Sequence, residues 1–138
     1  MKICGIEIKS NEAIFACAAA DGLEVAHVPL TLRKLALTDD EDAGSVKTFA
    51  SQAQTFVHDN GITHLAIKKR SKKGEFAGGP VTFKIEGLLQ LLDQCEVVLL
   101  SPQTISAHAR KHDTPLPSTL NKYQWEAFKA AVAFSAKR

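Results

Sequence analysis

The sequence predicts an α/β domain: a five-stranded mixed sheet with helices on both faces. Three observations lead there. The first 32 residues give three strand-like segments joined by turn signals, an antiparallel meander that opens with tight alternation over 2–8. Later segments switch to the 3.6-residue period of a helix. Strand-like and helical segments then take turns, giving the order β-β-β-α-β-α-β-α. At 138 residues the chain suits one domain, 1–138, with no room for a second core.

Each element has its own signal. Residues 2–8 alternate tightly, with Ile3, Gly5 and Glu7 on one face and Cys4, Ile6 and Ile8 on the other. Lys9 to Glu12 make a polar turn, and Ala13 to Ala20 form a second strand rich in small residues. Asp21-Gly22 is a two-residue hairpin signal, because Gly accepts the positive φ such a turn needs. Leu23 to Leu32 predict a third strand, with Pro29 marking an edge or a bulge. The acidic run Asp39 to Asp42 then precedes Val46, Phe49, Ala50, Ala53, Phe56 and Val57, one stripe of a helix. Acidic residues there complement the positive end of the helix dipole, a simpler role than metal binding. Asn60-Gly61 is a C-terminal stop.

Ile62 to Lys68 predict the fourth strand, followed by a polar, glycine-containing loop over 69–79. Pro80 suits a first helical turn, and Val81, Ile85, Leu88, Leu89 and Leu92 supply its apolar stripe. Glu96 to Leu100 form the fifth strand. Ser101 to Thr119 contain three prolines and are expected to be loop, with room for one helical turn. Asn121 to Lys137 predict the last helix, on which Trp125 and Phe128 are core or interface anchors.

Apolar residues make up 45% and charged residues 23%, which excludes a disordered or fibrous chain. The formal charge of +2 is uneven. Without the five basic residues of 68–73, twelve Lys and Arg face fifteen Asp and Glu, a net of −3. Cys4, Cys17 and Cys95 form no CxxC pair and sit in apolar stretches, so they are expected to be reduced core residues of a cytoplasmic protein. The first residues break their apolar run too soon for a signal peptide, and no stretch approaches the roughly 18 apolar residues of a membrane span. Neither a P-loop nor a serine-hydrolase elbow occurs.

Four ordered segments carry a family resemblance. Met1-Lys2-Ile3-Cys4-Gly5-Ile6-Glu7 is similar to an opening strand M-x-I-x-G-I-D. Leu65-Ala66-Ile67-Lys68 is similar to a strand ending A-I-E. Lys84-Ile85-Glu86-Gly87-Leu88-Leu89 is similar to a helical x-x-R-G-x-L run, and Leu99-Leu100-Ser101-Pro102-Gln103 to a strand with an S-P or T-P exit. The set resembles the ribonuclease H-like superfamily, and within it the RuvC Holliday-junction resolvases. The whole chain also resembles a small family of bacterial proteins in that superfamily with no assigned activity.

The resemblance implies an acid site. The superfamily's nucleases hold two divalent metals with about four carboxylates, which charge-balance the ions while these stabilise attacking and leaving oxygens. Glu7 matches the first Asp, one methylene longer. Lys68 replaces the Glu of the fourth strand, and an ammonium there repels Mg²⁺. Tyr123-Gln124-Trp125-Glu126-Ala127 aligns with the last-helix D-x-x-D-A, giving Tyr123 and Glu126. In an alternative alignment, residues from Lys122 onward match an earlier helix, the chain ends before the acidic one, and Glu126 has no catalytic equivalent. Glu126 also stands four from Lys122 and three from Lys129, spacings that pair it on a solvated helix face. Glu7 and Lys68 are expected to form an ion pair in the space that metal occupies in the enzymes.

Lys68, Lys69, Arg70, Lys72 and Lys73 make a dense basic loop. It is either a phosphate-tracking contact for DNA or RNA or simply a solvated charged loop. Phe76 could stack on a base or anchor the loop to the core. His108, His112 and Asp113 are too few for a convincing zinc site, and His27, His58 and His64 are structural or surface residues. The leading expectation is a non-catalytic domain that binds nucleic acid or a protein partner, without cofactor. The alternatives are a Mg²⁺- or Mn²⁺-dependent nuclease with a rearranged site, and a structural module that forms a homodimer. No membrane role is expected.

Overall fold

A computed structural model describes residues 1–22, 24–74, 78–112 and 116–137. Five strands follow the path β3-β2-β1-β5-β6. They are β1 (Lys2–Lys9), β2 (Glu12–Asp21), β3 (Glu24–Val28), β5 (His64–Lys68) and β6 (Glu96–Leu100). A short β4 (Lys34–Ala36) pairs with β2 beyond the end of β3. The helices are α1 (Ala43–Asp59), α2 (Pro80–Gln90), α3 (Pro102–His112) and α4 (Trp125–Lys137).

β1 is central. It pairs antiparallel with β2 and parallel with β5, and β5 pairs parallel with β6. The carboxyl ends of β1, β5 and β6 therefore lie at one end of the sheet, where α/β proteins place their sites. The period-two alternation of β1 sends its side chains to two unlike layers. Cys4, Ile6 and Ile8 face Phe49, Phe56 and Val57 of α1 and Ile85 and Leu89 of α2. Ile3 faces α4 and Ile105 of α3. Where α4 meets the central strands this second layer is rich in small residues, Ala16, Ala18 and Ala66 of the sheet and Ala127, Ala130, Ala131 and Ala133 of α4, with Leu100, Leu120, Phe128 and Phe134 also in the cluster.

Small residues let the α4 backbone come very close. A Cβ on Gly5 would lie 1.7 Å from the Ala127 carbonyl oxygen. Glycine at this position is thus a packing requirement. The buried Gln124 fixes the start of α4. Its Nε2 donates to the Phe15 carbonyl over 2.8 Å, and its Oε1 accepts from both Asn121 nitrogens at 3.1 Å. At the entrance of α1, where the acidic run was expected to complement the helix dipole, Asp42 caps the helix by accepting from the Ser45 N–H over 2.9 Å. All three cysteines are free, with Cys4 and Cys17 directly opposite across β1 and β2.

Three elements differ from expectation. The third strand ends at Val28 instead of Leu32, because Pro29 has no N–H to continue the ladder. The chain then bends and returns as β4, adding a sixth short strand to the expected five. Leu23 lies outside the described residues. Ser101 to Thr119 hold an eleven-residue helix, α3, where a loop was expected. Its start is chemically encoded, since Ser101 Oγ accepts from the Thr104 N–H over 3.1 Å and Pro102 occupies the first turn. It buries only Ile105, so no apolar stripe betrays it. The last helix begins with a 3₁₀ turn over Lys122–Gln124 before α4 proper.

Candidate functional site

Glu7, Lys68 and Glu126 meet at the carboxyl ends of β1 and β5. Glu7 points to the α4 layer, as its alternation dictates, and is 8% exposed. The parallel register sets Ile6 beside Ile67, so Lys68 comes level with Glu7. Close seating of Ala127 over Gly5 puts Glu126, the preceding residue of α4, at the same end.

Lys68 Nζ donates to Glu126 Oε1 over 2.9 Å and lies 3.7 Å from Glu7 Oε2. Lys129 Nζ donates to Glu126 Oε2 over 3.2 Å, one helical turn along. Glu126 thus has both oxygens engaged by ammonium groups. Two carboxylates and two cations make the cluster electrically neutral. Partial burial pushes the Glu126 carboxyl up, but the hydrogen bonds and charges of Lys68 and Lys129 outweigh it and hold the group below its ordinary value.

The expected Glu7–Lys68 ion pair is present at 3.7 Å, while the hydrogen bond of Lys68 goes to Glu126. One expectation needs correction here. Glu126 pairs with Lys129 but not with Lys122, whose Nζ lies 5.7 Å from the centre of the Trp125 ring. Tyr123, aligned with the family's first last-helix Asp, is 40% exposed and carries Lys34 Nζ at 4.5 Å from its ring centre.

The basic segment leaves β5 beside this cluster. The Lys69 N–H donates to the Leu100 carbonyl over 2.8 Å, and the Arg70 N–H to Glu86 Oε2 over 3.2 Å. The Gly78 N–H returns to the Ser71 carbonyl over 2.8 Å, closing the loop. Lys72 and Lys73 are exposed. Residues 69–73 and 101–103 line a cleft of 320 Å³, at the N-terminal turn of α3. Phe76 lies outside the described residues.

Sequence reasoning did not single out three residues that hold the site. Gly5 sets the height of α4, and only its close packing reveals that. Gln124 completes an Asn121-x-x-Gln124 capping box, a spacing legible in the sequence. Glu86 is buried and fixes the base of the loop; its clue was spacing, with Thr82, Glu86 and Leu89 on one buried helical face.

The His108 and His112 rings lie with centres 4.4 Å apart, tilted by 31°, on α3, and Asp113 lies outside the described residues. Burial, then the charges of His112 and Lys111, push His108 below its ordinary value. Among the described residues, no three His, Cys, Asp or Glu side chains converge as a metal site. Among them, too, no helix is long and apolar enough to cross a membrane.

The profile of a family described as "Protein of unknown function (DUF3010)" matches residues 1–134. No curated protein matches the chain significantly. Several solved structures do. The Thermus thermophilus RuvC structure superposes with a TM-score of 0.74 at 11% identity, covering 99% of this chain and 96% of the other. T. thermophilus RuvC in complex with Holliday junction substrate gives 0.67 at 14% identity, covering 99% and 95%. The Fowlpox virus resolvase, in complex with its substrate Holliday junction DNA, gives 0.62 at 14% identity, covering 99% and 98%. At such identities the likeness shows the fold alone, which is RuvC-like with a ribonuclease H-like topology.

Proposed function

The chain belongs to the DUF3010 family of proteins of unknown function, and we propose that it is a RuvC-like domain that binds nucleic acid without cutting it. The observation that carries this reading is the position of Lys68 Nζ, 2.9 Å from Glu126 and 3.7 Å from Glu7. Two-metal phosphoryl chemistry needs several carboxylates around ions of charge +2. Here two carboxylates are already neutralised by Lys68 and Lys129. A divalent ion would have to displace an ammonium and share too few oxygens. These residues do not fit a Mg²⁺ pair.

The nucleic-acid half of the reading rests on the basic segment. Lys68, Lys69, Arg70, Lys72 and Lys73 leave the same sheet end, and four of them line one cleft. Lys and Arg so arranged bind phosphates and release counterions. The two solved junction complexes are of proteins with this fold.

The test is a pair of assays on the same preparation. Fluorescence anisotropy with branched, duplex and single-stranded DNA and with RNA should show binding that weakens with salt. About four phosphate contacts give a log–log slope near −3. Incubation with Mg²⁺ or Mn²⁺ should leave every substrate intact. Cleavage abolished by Glu7→Ala would establish a nuclease instead. Binding that is absent, or indifferent to salt, would remove the nucleic-acid role.

A further inference from the structure

Arg70 lines two clefts. One is the 320 Å³ cleft of the basic segment and the start of α3. The other, of 230 Å³, lies between the β1–β2 turn (Ser10, Asn11) and residues 79–82 at the first turn of α2. Among the described residues, no carboxylate lines either cleft, and neither includes Glu7, Lys68 or Glu126.

Arg70 is held between them by two contacts. Its N–H is fixed by the buried Glu86 carboxylate. Its stem is covered by Gly78, where a Cβ would fall 3.0 Å from Arg70 Cβ and 2.9 Å from Nε. Its Nε is buried and, among the described residues, has no hydrogen-bond partner. Its Nε–H is therefore not committed to a described protein acceptor. The first turn of α2 has no side-chain cap, so an anion in the second cleft also meets a positive helix end.

We propose that the two clefts form one phosphate track for a single nucleic-acid strand, with Arg70 at the junction contacting two successive phosphates. The inference rests on the nucleic-acid reading above and adds the path. The strand runs from the basic segment toward α2 and the β1–β2 turn, away from the carboxylate cluster. A planar guanidinium fork can serve two phosphate oxygens at once, whereas a lysine acts as a point charge.

The track is tested with a fluorescein-labelled single-stranded DNA oligonucleotide and with the same sequence as duplex. Ser10 and Gln103 are exposed and lie one on each cleft. Ser10 has φ 55°, which aspartate tolerates. Ser10→Asp and Gln103→Glu should each weaken single-strand binding about fivefold or more by charge repulsion, with an unchanged thermal midpoint. Arg70→Gln should flatten the salt slope by about one to two. Arg70→Lys should restore the charge and leave affinity below wild type. If Gln103→Glu weakens binding and Ser10→Asp does not, the strand ends in the first cleft and the track is wrong, though nucleic-acid binding stands. Full rescue by Arg70→Lys, or tighter binding of duplex, also overturns the track. Failure of the unaltered protein to bind any oligonucleotide removes both readings.

Discussion

Lys68 and Glu126 stand 58 residues apart in sequence and 2.9 Å apart in space. One ends a strand and the other begins a helix. Their contact ties the carboxyl end of β5 to α4 directly over Glu7, which reaches the same ammonium at 3.7 Å.

Removing that ammonium leaves two carboxylates facing each other. Lys68→Met keeps most of the stem and deletes the charge. Breaking a fully buried pair costs about 3–5 kcal/mol. Glu126 has 36% of its side chain exposed, and solvent screening reduces the effect. A loss of about 2 kcal/mol is expected in urea unfolding. An unchanged midpoint would mean that the pair is ornamental.

Lys68→Glu goes further, placing a third carboxylate between two that already converge. The variant should be less stable than wild type in EDTA. It should then gain about 4 °C or more in thermal midpoint with excess Mg²⁺ or Mn²⁺, because an ion that binds only the folded state stabilises it. Wild type should show no such gain. A metal-indifferent variant would place Glu7 and Glu126 too far apart to share an ion.

Acid stability should carry the signature of Glu126. Its folded-state value is depressed, so its contribution is present above its ordinary value of 4.5 and is lost as pH falls through the lower folded-state value. Wild-type stability should therefore drop on acidification in that window. Glu126→Gln should be less stable near neutrality and should lose less over the same range. Parallel pH profiles for the two proteins would contradict the assignment.

Two glycines should behave oppositely. Gly5→Ala drives a methyl into the Ala127 carbonyl and should cost about 3 kcal/mol, at the upper end for overpacking. Gly87, inside α2, has nothing within 4 Å of an added Cβ. Gly87→Ala should stabilise by about 0.5–1 kcal/mol through the unfolded chain and helix propensity. Chemical denaturation of both variants decides the matter.

The strands were the most legible part of the sequence. Tight alternation over 2–8 puts Glu7 on one face with Ile3 and Gly5, the face that α4 covers. α3 was illegible because its single buried residue, Ile105, leaves no period to read. The convergence of Glu7, Lys68 and Glu126 was suggested by resemblance alone. Hydrogen-bond choice was beyond the sequence. Whether Lys68 prefers Glu7 or Glu126 depends on the height of α4, which the Gly5–Ala127 contact sets.

The two faces of the sheet also differ in how freely the chain can change. On the α1 and α2 side, Phe, Ile and Leu interlock, and one apolar side chain can often replace another of like volume. On the α4 side, seven alanines belong to the buried cluster and Gly5 meets the Ala127 carbonyl, so a substitution at any of these positions enlarges a residue that has little room to grow. Drift across related chains should therefore gather on the first face and at the rim of the second. The geometry that aims Glu126 is guarded by residues with no chemistry of their own.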